Sequence, residues 1–287
     1  MAASPLFAVL FHEYPCSARQ MVSNILRHYP ESQVLCALDH PGSLLGMTLL
    51  ELRQAWQQKR SFFWKYLPLG MFANFDRVQL LPRKRSYSWR NLQNFLFDAV
   101  EACVGRAYDY LILADSDAMF TGTGLLKLLD TTWDFSCSGT DPGFTRWSHG
   151  RTFRQHWHHY EAVAKVLGLT PKPFDSGTMF GLFILSRAAV ERLCDNLPRL
   201  ENHPDYQFFT ELPAPDFPFY EAFLPQLLAD LGMTPHDLST DLPGYRNRPH
   251  WTVAEYRPDW WFYHPVERHP SDPFRQLLAQ RAATGDS

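Results

Sequence analysis

The sequence lacks a glycine-rich phosphate loop. Its 287 residues include 15 glycines, yet the stretch after the first aliphatic run, Phe11-His12-Glu13-Tyr14-Pro15-Cys16-Ser17, contains none. That absence weighs against a dinucleotide-binding Rossmann enzyme, a P-loop NTPase and the usual nucleotidyltransferases, whose backbones must approach phosphate closely. Long apolar runs are missing too. The first, Leu6 to Phe11, is far short of the ~18 residues a membrane span needs and has no basic region before it. The expectation is a cytoplasmic chain without an N-terminal anchor or transmembrane segment, with peripheral membrane contact still possible. Cysteine is scarce and unpatterned: the five are Cys16, Cys36, Cys103, Cys137 and Cys194, with no C-x-x-C. Reduced, buried thiols are expected rather than disulfides or a zinc site. There is no excess of one charge either. The net charge of −3 gives no basic field, which argues against nucleic acid as a partner.

What is present is a globular composition, 45% apolar and 20% charged, in a chain long enough to bury a large core. Strands and helices alternate along the first half. Leu6–Phe11 reads as a strand, Ser17–Tyr29 as a helix and Ser32–Leu38 as a strand closing at Asp39. Ser43–Gln58 has helical spacing, Val78–Leu81 is a brief strand, Trp89–Val104 is amphipathic, and Asp109–Ala114 is a strand again. This order predicts an α/β fold with a mostly parallel sheet flanked by helices. In the second half, Asp134–Gly139 and Met179–Leu185 read as strands and His149–Leu167 as a helix. Ser186 caps the helix that follows. Phe219–Leu231 is helical, with a restart or kink at Pro225. Beyond Ser239 the chain reads as loop. There is no internal repeat. One domain covers 1–287, with a nucleotide-binding half at about 1–120, an acceptor-binding half at about 121–265 and a tail at 266–287.

The strand Asp109–Ala114 runs directly into Asp115-Ser116-Asp117. An extended Asp-x-Asp would project both carboxylates to one side, at the sheet edge where open α/β folds hold ligands. Two hard oxygen donors at that spacing suit Mg²⁺ or Mn²⁺ shared with substrate phosphates.

With the loop-free first strand, Asp39 closing the second, Ala114-Asp115-Ser116-Asp117 and the acidic helix start at Glu221, the chain resembles the GT-A class of nucleotide-sugar-dependent glycosyltransferases. A looser similarity to core-2/I-branching β-1,6-N-acetylglucosaminyltransferases lies in Ser86–Asp117 and in Glu221–Leu228. Those enzymes usually lack a metal-binding Asp-x-Asp. The resemblance implies a GT-A-like fold, a UDP-sugar or other nucleoside-diphosphate sugar donor, and a glycan or lipid-linked glycan acceptor. It also implies an Mn²⁺ or Mg²⁺ cofactor. It gives Asp117 the metal, Asp115 the metal and the ribose, and His264 a late metal or diphosphate contact with Arg268 and His269 nearby. Trp260, Trp261 and Tyr263 would then shield the site. Asp39 would face uracil or ribose, with His12 and Glu13 beside it, and one of Arg83, Lys84 and Arg85 would grip the diphosphate. Inversion would need a carboxylate to take the acceptor's proton. Glu221 and Asp216 are the candidates, and Glu221 alone tilts the reading toward inversion.

Each position also has a structural explanation: Asp as a turn cap, Glu221 as a helix N-terminal acid, Asp175-Ser176-Gly177 as a tight turn. His156, His158 and His159 have no acidic or cysteine partners at fixed spacing, so they read as a helix flanking an acceptor groove with Trp147, Arg151 and Trp157. The alternatives are a nucleotidyltransferase forming nucleotide sugars and a non-catalytic carbohydrate-binding protein on a degenerate transferase fold. Oligomeric state, donor sugar and linkage are not encoded in these motifs.

Overall fold

The computed structural model describes residues 4–11, 15–38, 76–81, 92–129, 132–140, 148–178, 181–211, 219–242, 244–245, 250–267, 269 and 271–284. The helix expected over Ser43–Gln58 lies outside the described residues.

Four aliphatic runs build the parallel half of the sheet: β1 (Pro5–Phe11), β2 (Gln33–Leu38), β3 (Val78–Leu80) and β4 (Tyr110–Asp115). They lie in the order β3-β2-β1-β4 with every neighbour parallel. Helix α1 (Pro15–His28) joins β1 to β2, and α2 (Leu92–Cys103) leads into β4. The strand order reverses between β1 and β4, so a crevice opens beyond their carboxyl ends. Register sets Asp115 beside Leu10 there.

Strand alternation divides the core into two layers. Leu6, Ala8 and Leu10 of β1 join Leu111 and Leu113 of β4 on one face, while Phe7 and Val9 join Ile112 and Ala114 on the other. This two-residue period is what the sequence pattern predicted.

The second half of the chain contributes β5 (Met119–Phe120), α3 (Gly124–Leu129), β6 (Phe135–Thr140), α4 (Ser148–Gln155), α5 (Trp157–Val166), β7 (Ser176–Gly177) and β8 (Leu182–Ser186). It continues with α6 (Arg187–Leu200), α7 (Pro204–Glu211), a π-helical turn at Phe219–Phe223, α8 (Leu224–Asp230) and β9 (Pro235–Asp237). Strand β8 is buried at every residue and inserts antiparallel between β4 and β6. Its first residue, Leu182, pairs with Ala114, so Gly181 enters the sheet beside the aspartate motif. Among the described residues the strands form an eight-stranded, mostly parallel sheet flanked by helices.

Several local expectations are met in modified form. Ser186 caps α6, its hydroxyl accepting from the Ala189 amide at 3.1 Å. The helix expected over His149–Leu167 is two, broken at His156. Pro225 sits in the first turn of α8, after the π-helical turn, where its missing N–H costs nothing.

The C-terminal region departs from the loop reading. It contains β10 (Phe262–Tyr263), which pairs antiparallel with β5, and helix α9 (Pro273–Thr284). Asp272 caps α9 by accepting from the Arg275 amide at 2.8 Å. Its few apolar residues dock Phe274 and Leu278 on Met119, Tyr263 and Val266. A helix stabilised by docking rather than by a strong apolar stripe leaves little periodicity to read. Among the described residues, no helix is long and apolar enough to cross a membrane. Cys36, Cys103, Cys137 and Cys194 are free thiols; burial pushes the Cys137 thiol up to about 11.

Candidate active site

Strand β4 ends at Asp115, and Ser116 and Asp117 form a turn. The extended geometry expected to project both carboxylates alike therefore stops one residue short. The Ala118 amide closes the turn on the Asp115 carbonyl at 3.1 Å. Asp115 Oδ1 accepts from the Ser116 amide at 2.6 Å and from the Ser116 hydroxyl at 3.2 Å. This aspartate thus braces its own turn, a local bonding pattern that short polar side chains favour.

Behind the turn lies a group the sequence did not single out. Arg275 of α9 is fully buried. Its Nη2 donates to the Ser116 carbonyl at 2.8 Å and its Nε to the Glu267 carbonyl at 2.6 Å, while Nη1 lies 3.8 Å from Met119 Sδ. The Val266 amide donates to the Asp117 carbonyl at 2.8 Å. A buried cation and the tail backbone together hold the motif.

The tail also delivers His264. Its Nε2 lies 3.2 Å from Asp117 Oδ1, with both side chains about a tenth exposed. The His264 amide donates to the Gly244 carbonyl at 2.9 Å, and its ring stacks on Tyr245 with centroids 5.1 Å apart at 15°. The imidazole also rests close to Gly181, where a Cβ would stand 2.5 Å from His264 Cδ2. Glycine is required at 181 by this close approach. The aromatic run before His264 anchors it rather than shielding the site. Trp261 covers Gly124 so closely that a Cβ there would meet the indole at 2.4 Å. Thr121 Oγ1 donates to the Trp260 carbonyl at 2.5 Å, and the Tyr263 hydroxyl bonds to the backbone of Arg257.

Glu221 lies in the π-helical turn, not in an α-helical first turn, and its carbonyl accepts from the Thr178 amide at 2.8 Å. Burial, followed by the charges of Glu221 and Asp117, raises the Tyr245 phenol well above its ordinary pKa. Asp117, His264 and Tyr245 therefore meet at one place.

The other anticipated residues fare differently. His12, Glu13, Asp39, Arg83, Lys84, Arg85, Trp147, Asp216 and Arg268 lie outside the described residues. His269 Nδ1 pairs with the Ser271 hydroxyl at 2.6 Å in the turn before α9. Asp175 forms an ion pair with Arg154, whose guanidinium lies 4.7 Å above the Trp157 ring. Among the histidines of α5, His159 Nδ1 meets Asp205 Oδ1 at 2.5 Å and its ring stacks on Phe208 at 4.0 Å. These groups brace α4, α5 and α7.

Among the described residues, no three histidine, cysteine, aspartate or glutamate side chains close into a cage for a cation. Two donors do meet the demand of a substrate-shared ion. Neighbouring ligands on an octahedral cation with bonds of ~2.1 Å stand about 3 Å apart, close to the 3.2 Å between Asp117 Oδ1 and His264 Nε2. A divalent ion of this kind keeps its remaining positions for waters and substrate phosphates. The residues present fit it on that basis.

No protein-family profile matches the sequence, and no curated protein is similar to it. Solved structures give distant likenesses. One is the galactosyltransferase LgtC in complex with donor and acceptor sugar analogs, at 10% identity over 97% of this chain and 95% of that one, TM-score 0.42. Another is glucosyl-3-phosphoglycerate synthase from Mycobacterium tuberculosis in complex with Mn²⁺ and UDP-glucose, at 13% identity over 86% and 72%, TM-score 0.39. A third is the inositol-1-phosphate CTP transferase from T. maritima, at 8% identity over 99% and 98%, TM-score 0.42. Likenesses this distant assign the chain neither a family nor an activity.

Proposed function

We propose that the protein is a metal-dependent glycosyltransferase that moves a sugar from a nucleoside-diphosphate donor, UDP-sugar foremost, to a hydroxyl of a glycan or lipid-linked glycan. The observation carrying this reading is the Asp117–His264 pair at 3.2 Å. It stands beyond the carboxyl end of β4, at the point where strand order reverses.

In this reading Asp117 and His264 hold Mn²⁺ or Mg²⁺. When bound, the cation supplies positive charge against the negative charge that develops on the leaving diphosphate. Asp115 braces the turn that presents Asp117, and Arg275 fixes the same turn from behind. Gly181 leaves room for the imidazole. Asp39, His12, one of the Arg83–Arg85 group and Arg268 are the proposed contacts to the nucleotide and diphosphate.

Glu221 is the proposed base. The bond between the anomeric carbon and the phosphate oxygen breaks, and a bond to the acceptor oxygen forms. The acceptor's proton passes to the Glu221 carboxylate, and the nucleoside diphosphate departs with the electron pair. Attack from the face opposite the leaving group inverts the anomeric configuration.

A panel of nucleotide sugars incubated with protein and Mn²⁺ tests the proposal by nucleoside-diphosphate release. At least one donor should be turned over, and chelation should stop it. Release of pyrophosphate from UTP and a sugar phosphate would make the protein a nucleotidyltransferase instead. Sugar binding with neither reaction would make it a lectin-like protein.

A further inference from the structure

We propose that the groove between α2 and α6 is a docking site for a partner protein, which lays a basic amphipathic helix into it. The inference does not rest on the transferase reading, since none of the residues lining the groove belongs to the Asp117–His264 site.

The groove has a volume of about 390 Å³. Phe97, Val100 and Glu101 of α2 line it together with Val104, the residue after the helix. Their i, i+3, i+4 and i+7 spacing is that of one helix face. Leu193, Leu197 and Pro198 line the opposite wall from α6. Val100, Leu193 and Leu197 are buried and form the floor, whereas Val104 at the rim is 71% exposed. A valine exposed alone would be ordinary, but this one borders continuous apolar surface of the kind that binds partners. Seven residues of helix run ~10 Å, enough for two turns of an incoming helix to seat an apolar stripe.

Charge selects the occupant. Glu101 and Glu201 line the groove, and among the described residues no lysine, arginine or histidine does. Neighbouring arginines bond elsewhere. Arg106 donates to the Ala102 carbonyl and to Gln33 and Gln79. Arg187 donates to the Arg106 carbonyl and pairs with Glu191 at 3.4 Å, and Arg199 donates to the Val166 carbonyl and to Asn196. Burial, followed by the carboxylates of Asp195, Glu101 and Glu191, pushes up the Cys194 thiol in the groove wall, in keeping with a negative field there. An apolar floor under an acidic rim fits a helix whose apolar stripe is flanked by lysine or arginine. The same rim repels an acidic peptide or an anionic lipid surface.

The test uses a fluorescein-labelled peptide of ~14 residues, about four helical turns, with leucines at i, i+3, i+4 and i+7 and lysines flanking them. Fluorescence anisotropy follows its binding to the whole protein. Saturable one-to-one binding is expected, weakened about tenfold or more by Val104→Arg and by the double change Glu101→Lys/Glu201→Lys. These changes lie at the rim, so both variants should melt as wild type does, and either one suffices if the other fails to fold. Two control peptides should also bind about tenfold more weakly or worse: one with glutamate for each lysine, one of the same composition with its leucines scattered around the helix. No saturable binding of the lysine peptide overturns the proposal, as does wild-type affinity in a folded variant or equal binding of either control. Sedimentation of the protein alone completes the test. Self-association abolished by Val104→Arg would make the occupant a second copy of this chain and overturn the assignment to a different protein.

Discussion

Replacing Arg275 with methionine removes a cation that is wholly inside the protein and bonded to the motif itself. The variant loses the 2.8 Å bond to the Ser116 carbonyl and the 2.6 Å bond to the Glu267 carbonyl. Methionine fills much of the same volume against Met119 and Phe274. Hydrogen bonds from a charged donor contribute about 1.5–3 kcal/mol each, and relief from burying the guanidinium returns part of that. A net loss of about 2–4 kcal/mol is expected. At ~2–4 °C per kcal/mol for a chain of this size, the melting temperature should fall by about 4–16 °C. The second effect is specific to the site. With Ser116 released, the turn presenting Asp117 to His264 is no longer fixed, and groups that orient metal ligands are typically worth about 10–100-fold in metal affinity. Thermal melts across a MnCl₂ titration read both quantities. Arg275→Gln, which keeps amide donors but no charge, should lie between wild type and Arg275→Met in each. An unchanged melting temperature would refute the packing argument. A lowered melting temperature with the wild-type Mn²⁺ dependence would refute the claim that Arg275 positions the motif.

Two further outcomes follow from other parts of the molecule. Gly181→Ala places a Cβ 2.5 Å from the His264 ring; overpacking of this kind costs about 1–3 kcal/mol, and Mn²⁺-dependent turnover should drop more than stability does. An alanine variant with full turnover would show that the imidazole need not lie where it does. The His156 pKa is lowered from 6.5 by burial first and then by His159 and His158, so the unfolded chain takes up this proton before the folded protein. Stability therefore falls as pH drops through about 6.5, and His156→Gln should flatten that segment of a melting-temperature profile between pH 7.5 and 5.5; an unchanged slope would rule out His156 as its source.

Much of the framework was legible because burial imposes a period that composition reveals. Leu6–Leu10 and Tyr110–Ala114 alternate between two core layers, and the cap at Ser186 follows from side-chain chemistry alone. The link from Asp117 to His264 was also anticipated, through the resemblance to a glycosyltransferase class rather than through spacing. What stayed hidden is long-range. No local pattern states that β8 inserts between β4 and β6, yet that insertion carries Gly181 under the imidazole. Arg275 reads as one more surface arginine on a weakly patterned helix until α9 docks on Met119. Tyr245 sits in a proline- and arginine-flanked loop with no motif and acquires meaning only from its stack on His264. The Asp-x-Asp rule missed the local geometry, because the strand ends at the first aspartate and a turn presents the second.

The most direct test of the account is Mn²⁺-dependent release of nucleoside diphosphate by wild type and by Asp117→Ala, each first shown to be folded by its melting temperature. The account predicts turnover of at least one nucleotide sugar by wild type, abolished by chelation, and loss of that turnover in a folded Asp117→Ala. Wild-type rates in Asp117→Ala would contradict it.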